Sequence, residues 1–365
     1  MSPRSLAFVA ALAASPAALA AQTADTAGIG AAESLLARLV ESYGPSGMEG
    51  PVRDTVRAML PRWARAETDS AGNLWVRIGE GGPLVVFVAH LDEIGFRVTG
   101  VRDDGQLELA ALGGFFPSVY EGRPALVHTG AGTVPGVIPP RDSIGTSPRR
   151  TPGALRVDVG TTTAAATAAM GIRVGSTVTM PKQYVRLAGT RATGRSFDDR
   201  VGSMALVHAL RHLDRSRLKH EIAFIWSVRE ETGLEGARVA ADALGLRPAR
   251  VHAVDTFVSA DSPLELPAYG LAPLGAGAVI RAIDNSSVSV PAQVDSLVAL
   301  ARARRIALQL GTTSGGNDGS AFAQWGVPDL PIAWPLRYSH SPAEVIDLRD
   351  ALGLAELVRA IAEGW

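Results

Sequence analysis

Two periods of apolar residues alternate along the chain. Recurrence every three to four positions predicts helices at residues 31–44, 50–63, 203–213, 235–244, 296–308 and 350–364. Short, nearly continuous apolar runs predict buried strands at residues 73–79, 84–96, 220–228, 250–258 and 330–336. Strands that alternate with helices predict an α/β fold, in which a mostly parallel sheet carries helices on both faces.

The pattern changes between about Val101 and Val185. Glycines are frequent there, short β-prone runs recur and helical spacing is sparse, which indicates a small all-β domain. We therefore predict that the α/β domain is interrupted by a β insertion. The predicted organisation is a signal peptide at 1–21, a first catalytic part at 22–100, the β insertion at 101–186 and a second catalytic part at 187–365.

The first residues have the character of an export signal. Arg4 precedes an apolar run, and the sequence "ALA" at 18–20 offers small residues for cleavage. Ser15 and Pro16 interrupt the run, which is short for a bilayer span; an uncleaved anchor is the alternative. We expect export to the periplasm or the extracellular space, with no membrane contact after cleavage.

Composition and charge narrow the class of function. Hydrophobic residues make up 47% of the chain and the formal net charge is −1, as in a globular protein with ample material for a core. Because there is no basic excess to neutralise phosphates, a nucleic-acid partner is not expected. The chain has no cysteine, which excludes catalysis by a thiolate.

Acidic and histidine side chains accompany the ends of the predicted strands. They are His90 and Asp92, Glu230 and Glu231, Asp255 and His340, with Asp198 and Asp199 directly before a helix. Ligands of an open α/β sheet bind beyond the carboxyl ends of its strands, so we expect these side chains at one edge. Burying that many carboxylates without cations would cost more than the fold can supply. Two divalent metals would balance the charge; carboxylate and imidazole ligands suit Zn²⁺ or Co²⁺, with Mn²⁺ also possible.

The spacing within two pairs suggests a division of roles. His90 and Asp92 are two residues apart and therefore point the same way on a strand. One can bind a metal while the other holds the imidazole by a hydrogen bond. The adjacent Glu230 and Glu231 suit one metal ligand and one group that moves protons.

Five motifs resemble, in this order, the metal-site motifs of the M42 family of metallo-aminopeptidases: "AHLDEIGF", "SFDDRVG", "REETGLEGA", "AVDTFVSAD" and "RYSHSPAEV". The resemblance covers nearly the whole mature chain, including the β insertion. It implies a hydrolase that removes N-terminal residues from peptide substrates and assembles as a homo-oligomer. Asn317 and Arg229 depart from the family pattern, in which threonine and glutamine are more usual at these places.

The resemblance also implies the metal ligands. One metal would be held by His90 and Asp255, the other by Glu231 and His340, and both by Asp198.

The same resemblance implies the groups that act beside the metals. Glu230 would be the general base that takes a proton from the attacking water and delivers it to the leaving amine, and Asp92 would orient His90. Relatives commonly hold the bridging aspartate through a cis peptide, which predicts a cis bond between Asp198 and Asp199.

Several alternatives stay open at this point. Hydrolysis of a non-peptide N-acyl compound could use the same site, and a scaffold that has lost catalysis would usually have lost ligands as well. Glycoside hydrolysis also uses paired carboxylates, but it does not need His90 or His340, and aromatic residues make up only 5% of the chain. His208 and His212 are four residues apart on a predicted helix but lack the acid of a metalloprotease helix, so we expect a solvated helix face there.

Overall fold

A computed structural model describes residues 16–140, 154–262 and 270–364, without the side chains of residues 16–26. The α-helices in these ranges are α1 (Pro16–Val40), α2 (Gly50–Met59), α3 (Ala164–Ala169), α4 (Phe197–His212), α5 (Glu235–Leu244), α6 (Pro291–Arg304) and α7 (Leu348–Gly364). The strands are β1 (Ala66–Thr68), β2 (Leu74–Ile78), β3 (Leu84–His90), β4 (Gly95–Val101), β5 (Leu107–Leu112), β6 (Arg123–Thr129), β7 (Gly132–Ile138), β8 (Arg156–Val157), β9 (Thr177–Thr179), β10 (Val185–Arg186), β11 (Arg191–Gly194), β12 (Ile222–Ser227), β13 (Pro248–Val258), β14 (Ala278–Ile283), β15 (Leu308–Thr312), β16 (Ile332–Leu336) and β17 (Glu344–Asp347). Short 3₁₀ helices span Pro117–Tyr120, Arg215–Arg217 and Asp318–Trp325.

The largest sheet has eight strands in the order β1-β2-β12-β3-β13-β16-β14-β15. Its four central strands, from β12 to β16, run parallel to one another, so their carboxyl ends lie at one edge. The pairs β1–β2, β2–β12 and β14–β16 are antiparallel. The predicted α/β fold with a mostly parallel sheet is confirmed.

Strand β3 contributes side chains to both faces of this sheet. Val85 and Phe87 join the core formed with α1, α2, α4, α6 and α7. Val86 and Val88 point to the opposite face and join the core formed with α5 and the 3₁₀ helix Asp318–Trp325. Burying a Val or Phe side chain stabilises a fold by roughly 1.5–3 kcal/mol. Burial on both faces therefore explains why this strand is a continuous apolar run in the sequence.

A second sheet is formed by the central part of the chain. Its six strands are antiparallel in the order β7-β6-β9-β4-β5-β8, and it has a core of its own that includes Phe96, Val127 and Val178. This sheet begins at Gly95 rather than at Val101. The single strand predicted for residues 84–96 is thus wrong, because the chain turns between β3 and β4 and the two strands belong to different sheets.

The third sheet consists of β10, β11 and β17. Within it Gly194 is the partner of Glu344. This register places Glu344 beside the residues that lead into α4.

Two further predictions differ from the structure or lie outside it. The helix predicted for residues 296–308 ends at Arg304, because Arg305 takes the left-handed conformation with φ of 57° and Leu308 opens β15. Most of the predicted signal peptide, residues 1–15, lies outside the described residues. Among the residues that are described, no helix combines the length and the apolar character needed to cross a bilayer.

Candidate metal centre

The edge formed by the carboxyl ends of the parallel strands gathers the predicted site residues. His90 is the last residue of β3 and Asp255 lies within β13. The segments that follow β12 and β16 carry Glu230 and His340, and Asp198 comes from the start of α4. Their side chains all line one cavity of about 560 Å³, which is within the range of small-molecule sites.

Two groups of these side chains could each hold a metal ion, with ligand atoms within 4.8 Å of one another. One group is His90, Asp198 and Asp255, and the other is Asp198, Glu231 and His340. All five predicted ligands therefore lie together, in the two predicted sets that share Asp198. Their role as ligands stays a prediction.

The carboxylate of Asp198 lies between two imidazoles. Its Oδ1 atom is 3.1 Å from Nε2 of His90, and its Oδ2 atom is 3.4 Å from Nε2 of His340. The same nitrogen of His340 is 3.4 Å from Oε1 of Glu231. Imidazole nitrogens and carboxylate oxygens converging in this way form a donor set that fits divalent ions such as Zn²⁺ or Co²⁺.

The turn into α4 gives Asp198 and Asp199 different hydrogen-bond partners. Ser196 takes a left-handed conformation with φ of 69°, and neither aspartate has helical backbone angles. The peptide bond between them is cis, which confirms that prediction. Asp199 accepts the backbone N–H groups of His90 at 2.8 Å and of Gly202 at 2.9 Å, and so ties the start of the helix to the end of β3.

Asp92 contacts both His90 and the loop after β12. Its Oδ1 is 3.5 Å from Nδ1 of His90, and its carbonyl oxygen is 3.1 Å from the same nitrogen. The carboxylate also accepts the backbone N–H groups of Glu230 at 2.9 Å and Glu231 at 3.1 Å, and the hydroxyl of Ser46 donates to it at 2.5 Å. One carboxylate therefore orients an imidazole and fixes the two adjacent glutamates.

The charges at this centre are strongly coupled. Burial alone would lower the pKa of His90, but hydrogen bonds with Asp198 and Asp92 raise it well above its usual range. Burial would raise the pKa of Asp198, but hydrogen bonds from both histidines bring it well below the usual value. Burial raises the pKa of Asp255 to about 6 and that of Glu230 well above its ordinary value. Buried carboxyl groups in such a number are stabilised by bound cations.

Glu344 is a residue beside the candidate centre that the sequence analysis did not identify. It is buried, and its Oε1 accepts the backbone N–H of His340 at 3.1 Å. Its Oε2 accepts the N–H of Phe197 at 2.6 Å, directly before Asp198. The residue lies in the motif "RYSHSPAEV", but its role depends on the register between β11 and β17, which the sequence does not reveal.

The segment between β5 and β6 also reaches the centre. Nδ1 of His340 hydrogen-bonds to the carbonyl oxygen of Gly114, and the hydroxyl of Tyr120 donates to the carbonyl oxygen of His340 at 3.1 Å. The β insertion therefore orients one predicted ligand through these two contacts.

Glu93, which follows Asp92, belongs to a buried cluster of charges. Its carboxylate lies 2.8 Å from Nζ of Lys182 and 2.7 Å from a guanidinium nitrogen of Arg195, with Arg200 at 3.6 Å. Burial would raise the pKa of Glu93, but these cations lower it well below the usual value. The cluster fixes the chain where it leaves β3 and enters β4.

His208 and His212 lie away from the candidate centre. His208 is buried, and its ring stacks on that of His212 with centroids 4.2 Å apart. The predicted solvated face is therefore wrong for His208, because α4 is buried on nearly all sides beneath its neighbouring helices. Burial lowers the pKa of His208 to about 4. Neither histidine belongs to a candidate metal group in the described ranges.

The family match and two similar curated proteins all indicate the same family of aminopeptidases. Residues 72–357 match the family described as M42 glutamyl aminopeptidase. A glutamyl aminopeptidase of Lactococcus lactis subsp. cremoris is 29% identical, with 88% of this chain and 93% of the relative covered. A lysyl aminopeptidase of Pyrococcus furiosus is 30% identical, with 90% and 96% covered.

A solved structure shares the fold. The TET1 peptidase of Pyrococcus horikoshii, which can assemble into a tetrahedron or a large octahedral shell, superposes with a TM-score of 0.84 at 30% identity; the match covers 92% of this chain and 100% of that one. The motifs, the fold and the family match agree, and this chain belongs to the M42 family of metal-dependent aminopeptidases, which hydrolyse peptides.

Proposed function

We propose that this protein removes N-terminal residues from peptides with two divalent ions, held by the two ligand groups that share Asp198. The observation that carries the proposal is the position of Asp198, whose two oxygens face the imidazoles of His90 and His340 at 3.1 and 3.4 Å. A ligand that offers one oxygen to each of two sites suits a bridging role. When bound, a pair of divalent ions lowers the pKa of a water, polarises the scissile carbonyl and stabilises the charge that develops on it.

Glu230 is the proposed general base. It lines the cavity beside the ligand groups, and its backbone N–H is fixed by Asp92 at 2.9 Å. Burial raises its pKa above the ordinary value, the direction that makes a carboxylate a better proton acceptor. Glu230 takes the proton of the attacking water and passes it to the nitrogen of the leaving amine as the peptide bond breaks.

The donor set supports a short list of divalent ions. Three carboxylates and two imidazoles, without thiolates, favour Zn²⁺ or Co²⁺, and Mn²⁺ is compatible with the same ligands. Asp92 holds His90 in orientation by contact with Nδ1, which leaves Nε2 directed at Asp198 and at the position of an ion.

We extend the proposal to assembly and location. The tetrahedral and octahedral shells of the Pyrococcus horikoshii peptidase support a homo-oligomer for this chain, which light scattering of the purified protein would measure. The apolar run after Arg4 supports export through a signal peptide to the periplasm or the extracellular space. The N-terminal sequence of the mature protein would test cleavage near residue 21.

The proposed activity is tested with aminoacyl-anilides and with the same compounds N-acetylated. We expect the metal-loaded protein to release the chromophore from the free amines and to cleave the acetylated compounds poorly, because the reaction begins at a free N-terminus. Release of acetate from the acetylated compounds, without release of the chromophore from the free amines, would instead indicate an amidohydrolase acting on N-acyl substrates. No hydrolysis of either class by metal-loaded protein would contradict the proposed function.

A further inference from the structure

Beside the ligand groups, the cavity has apolar walls next to glycines and the uncharged polar residues Thr256, Ser314 and Ser339. Phe115 and Phe116 line one part of it, and Leu234 and Val258 line others. Phe115 is held in place by edge contacts with Phe96 and Tyr120, at centroid distances of 5.0 and 4.7 Å. If the scissile carbonyl lies at the metals, these walls are apolar surfaces that the side chain of the first residue can contact within the cavity.

Arg281 is the arginine among the described residues that line the cavity, which include no lysine, and acids already offset its charge. One of its terminal nitrogens lies 3.2 Å from Oδ2 of Asp255 and donates to the carbonyl oxygen of Thr256 at 2.9 Å. The other lies 3.0 Å from Asp284 and donates to the carbonyl oxygen of Gly316 at 3.0 Å.

The terminal nitrogens of Arg281 are thus occupied by wall residues, and its third donor, Nε, is not available to a ligand. Its Nε atom has no partner among the described residues but is buried, with almost no accessible surface. Asp284, which balances the charge of Arg281, stays ionised. Burial would raise the pKa of Asp284, but Arg281 and the hydrogen bonds that Asp284 accepts lower it. Asn317, which departs from the family pattern, donates to Asp284 at 2.8 Å and so supports this pair. The guanidinium group of Arg281 therefore has no donor left to bind a substrate side chain.

The acidic side chains of the cavity already have other predicted roles. Asp198, Glu231 and Asp255 belong to the ligand groups, and Glu230 is the proposed base. A charged first residue would leave water and enter this cavity without a free partner of opposite sign among the described residues that line it. Burying an unpaired charge is costly, whereas an apolar side chain gains from the same transfer.

We propose that the cavity selects peptides whose first residue has an uncharged, apolar side chain, such as leucine or methionine. This inference rests on the proposed aminopeptidase activity and adds the class of N-terminal residue to it. It differs from the glutamate and lysine preferences stated in the names of the two curated relatives.

The first experiment measures kcat/KM for leucyl-, methionyl-, glutamyl- and lysyl-p-nitroanilide with the metal-loaded full-length protein. We expect the leucyl and methionyl compounds to exceed both charged ones by about tenfold or more, since the charged side chains pay for desolvation. A glutamyl or lysyl compound cleaved as well as the leucyl one would overturn the inference while leaving the aminopeptidase activity in place. Failure of every compound would instead count against the proposed function.

The second experiment places a charge on the wall. Leu234 has a left-handed backbone with φ of 59°, a conformation that Asp adopts more readily than Leu. Its side chain packs only partly against the core formed with α5, so we expect Leu234→Asp to fold, and its circular dichroism spectrum would check this. Phe116→Asp provides a second variant, because Phe116 is 81% exposed and its replacement disturbs little packing. A carboxylate at either place should raise the lysyl-to-leucyl ratio of kcat/KM by about three- to fivefold, the effect of a partly exposed ion pair.

Leu246→Asp is the matched control. Leu246 is 79% exposed and does not line the cavity, so the same change of residue there should leave the ratio unaltered. A ratio that stays at the wild-type value in both folded wall variants, or that rises equally in Leu246→Asp, would show that these walls do not contact the first side chain.

Discussion

Glu344 accepts the backbone N–H of His340 at 3.1 Å through Oε1, while its other carboxylate oxygen holds the chain at Phe197, one residue before Asp198. One buried side chain thus joins the segment of a predicted terminal ligand to the segment of the predicted bridging ligand. Both of its oxygens act as acceptors. This requirement separates glutamate from glutamine, which has one acceptor oxygen and one NH₂ donor.

We predict that Glu344→Gln will weaken the metal group formed by Asp198, Glu231 and His340. The new NH₂ group would face a backbone N–H, and one of the two segments would lose its partner. Loss of a residue that orients ligands typically costs about 10- to 100-fold in metal affinity or activity. Metal analysis after dialysis should therefore find closer to one ion than two per chain. Glu67→Gln, at an exposed position on β1, is the control, and full metal content in Glu344→Gln would contradict the role.

Glu49 offers a contrasting case on the other side of the centre. A single oxygen, Oε1, accepts the N–H groups of Gly47 at 2.7 Å and of Arg229 at 3.1 Å. Arg229 has a left-handed backbone with φ of 53°, and Asp92 accepts the next two N–H groups. Two carboxylates therefore fix the start of the loop that carries Glu230.

We predict that Glu49→Gln will retain activity and that Glu49→Ala will lose it. Glutamine can accept both hydrogen bonds through its one oxygen, whereas alanine leaves the N–H of Arg229 unpaired and the loop less constrained. For Glu49→Ala we expect kcat to fall by about tenfold or more with a smaller change in KM. Asp54→Ala, at an exposed position on helix α2, which follows Glu49, should behave as wild type. Equal loss in Glu49→Gln and Glu49→Ala would show that the charge, and not the hydrogen bonds, is needed.

Metal binding should also stabilise the fold. The ligands come from separate strands and from the start of α4, so an ion bound by the native state and not by the unfolded chain adds its binding free energy to stability. At a free ion concentration 100 times Kd this is about 2.7 kcal/mol per site. We expect a chelator to lower Tm and abolish activity, and Zn²⁺ or Co²⁺ to restore both. In His90→Ala the restored Tm should be lower, and a Tm that does not respond to metal in the wild type would argue against these sites.

The candidate metal ligands could be picked out from the sequence because their own side chains would bind the ions. His90, Asp198 and His340 stand at the ends of apolar runs or before a helix, and the carboxyl ends of parallel strands must meet. Glu344 and Glu49 escaped prediction because they act on backbone N–H groups 147 and 180 residues away along the chain. Such contacts depend on how loops and sheets pack, which periodicity does not report.

Much of the fold was predictable because buried strands are visible in the sequence. The prediction failed for strands whose apolar pattern is interrupted or weak. Strands buried on both faces, such as β3, stand out as apolar runs, but β14 and β15 were not predicted. Strand β14 contains the buried Arg281, which interrupts its apolar pattern, and β15 has Leu310 exposed. Strand β15 lies at the edge of the sheet, where alternation is weak and tertiary contacts decide the structure.

The division of roles between Glu230 and Glu231 is the sharpest test of the proposed mechanism. Both residues follow β12, and Asp92 fixes both of their backbone N–H groups, so either substitution by glutamine should leave the loop in place. Glu231 belongs to a ligand group, 3.4 Å from Nε2 of His340, whereas Glu230 belongs to neither group.

Glu230→Gln should therefore keep two ions per chain and lower kcat by about 10²–10⁴-fold, the contribution of a positioned base. Glu231→Gln should instead lower the occupancy of one ion, and added metal should recover part of its activity. Metal content and kcat of the two purified variants, measured at several ion concentrations, separate these outcomes, and equal loss of metal in both would refute the assignment.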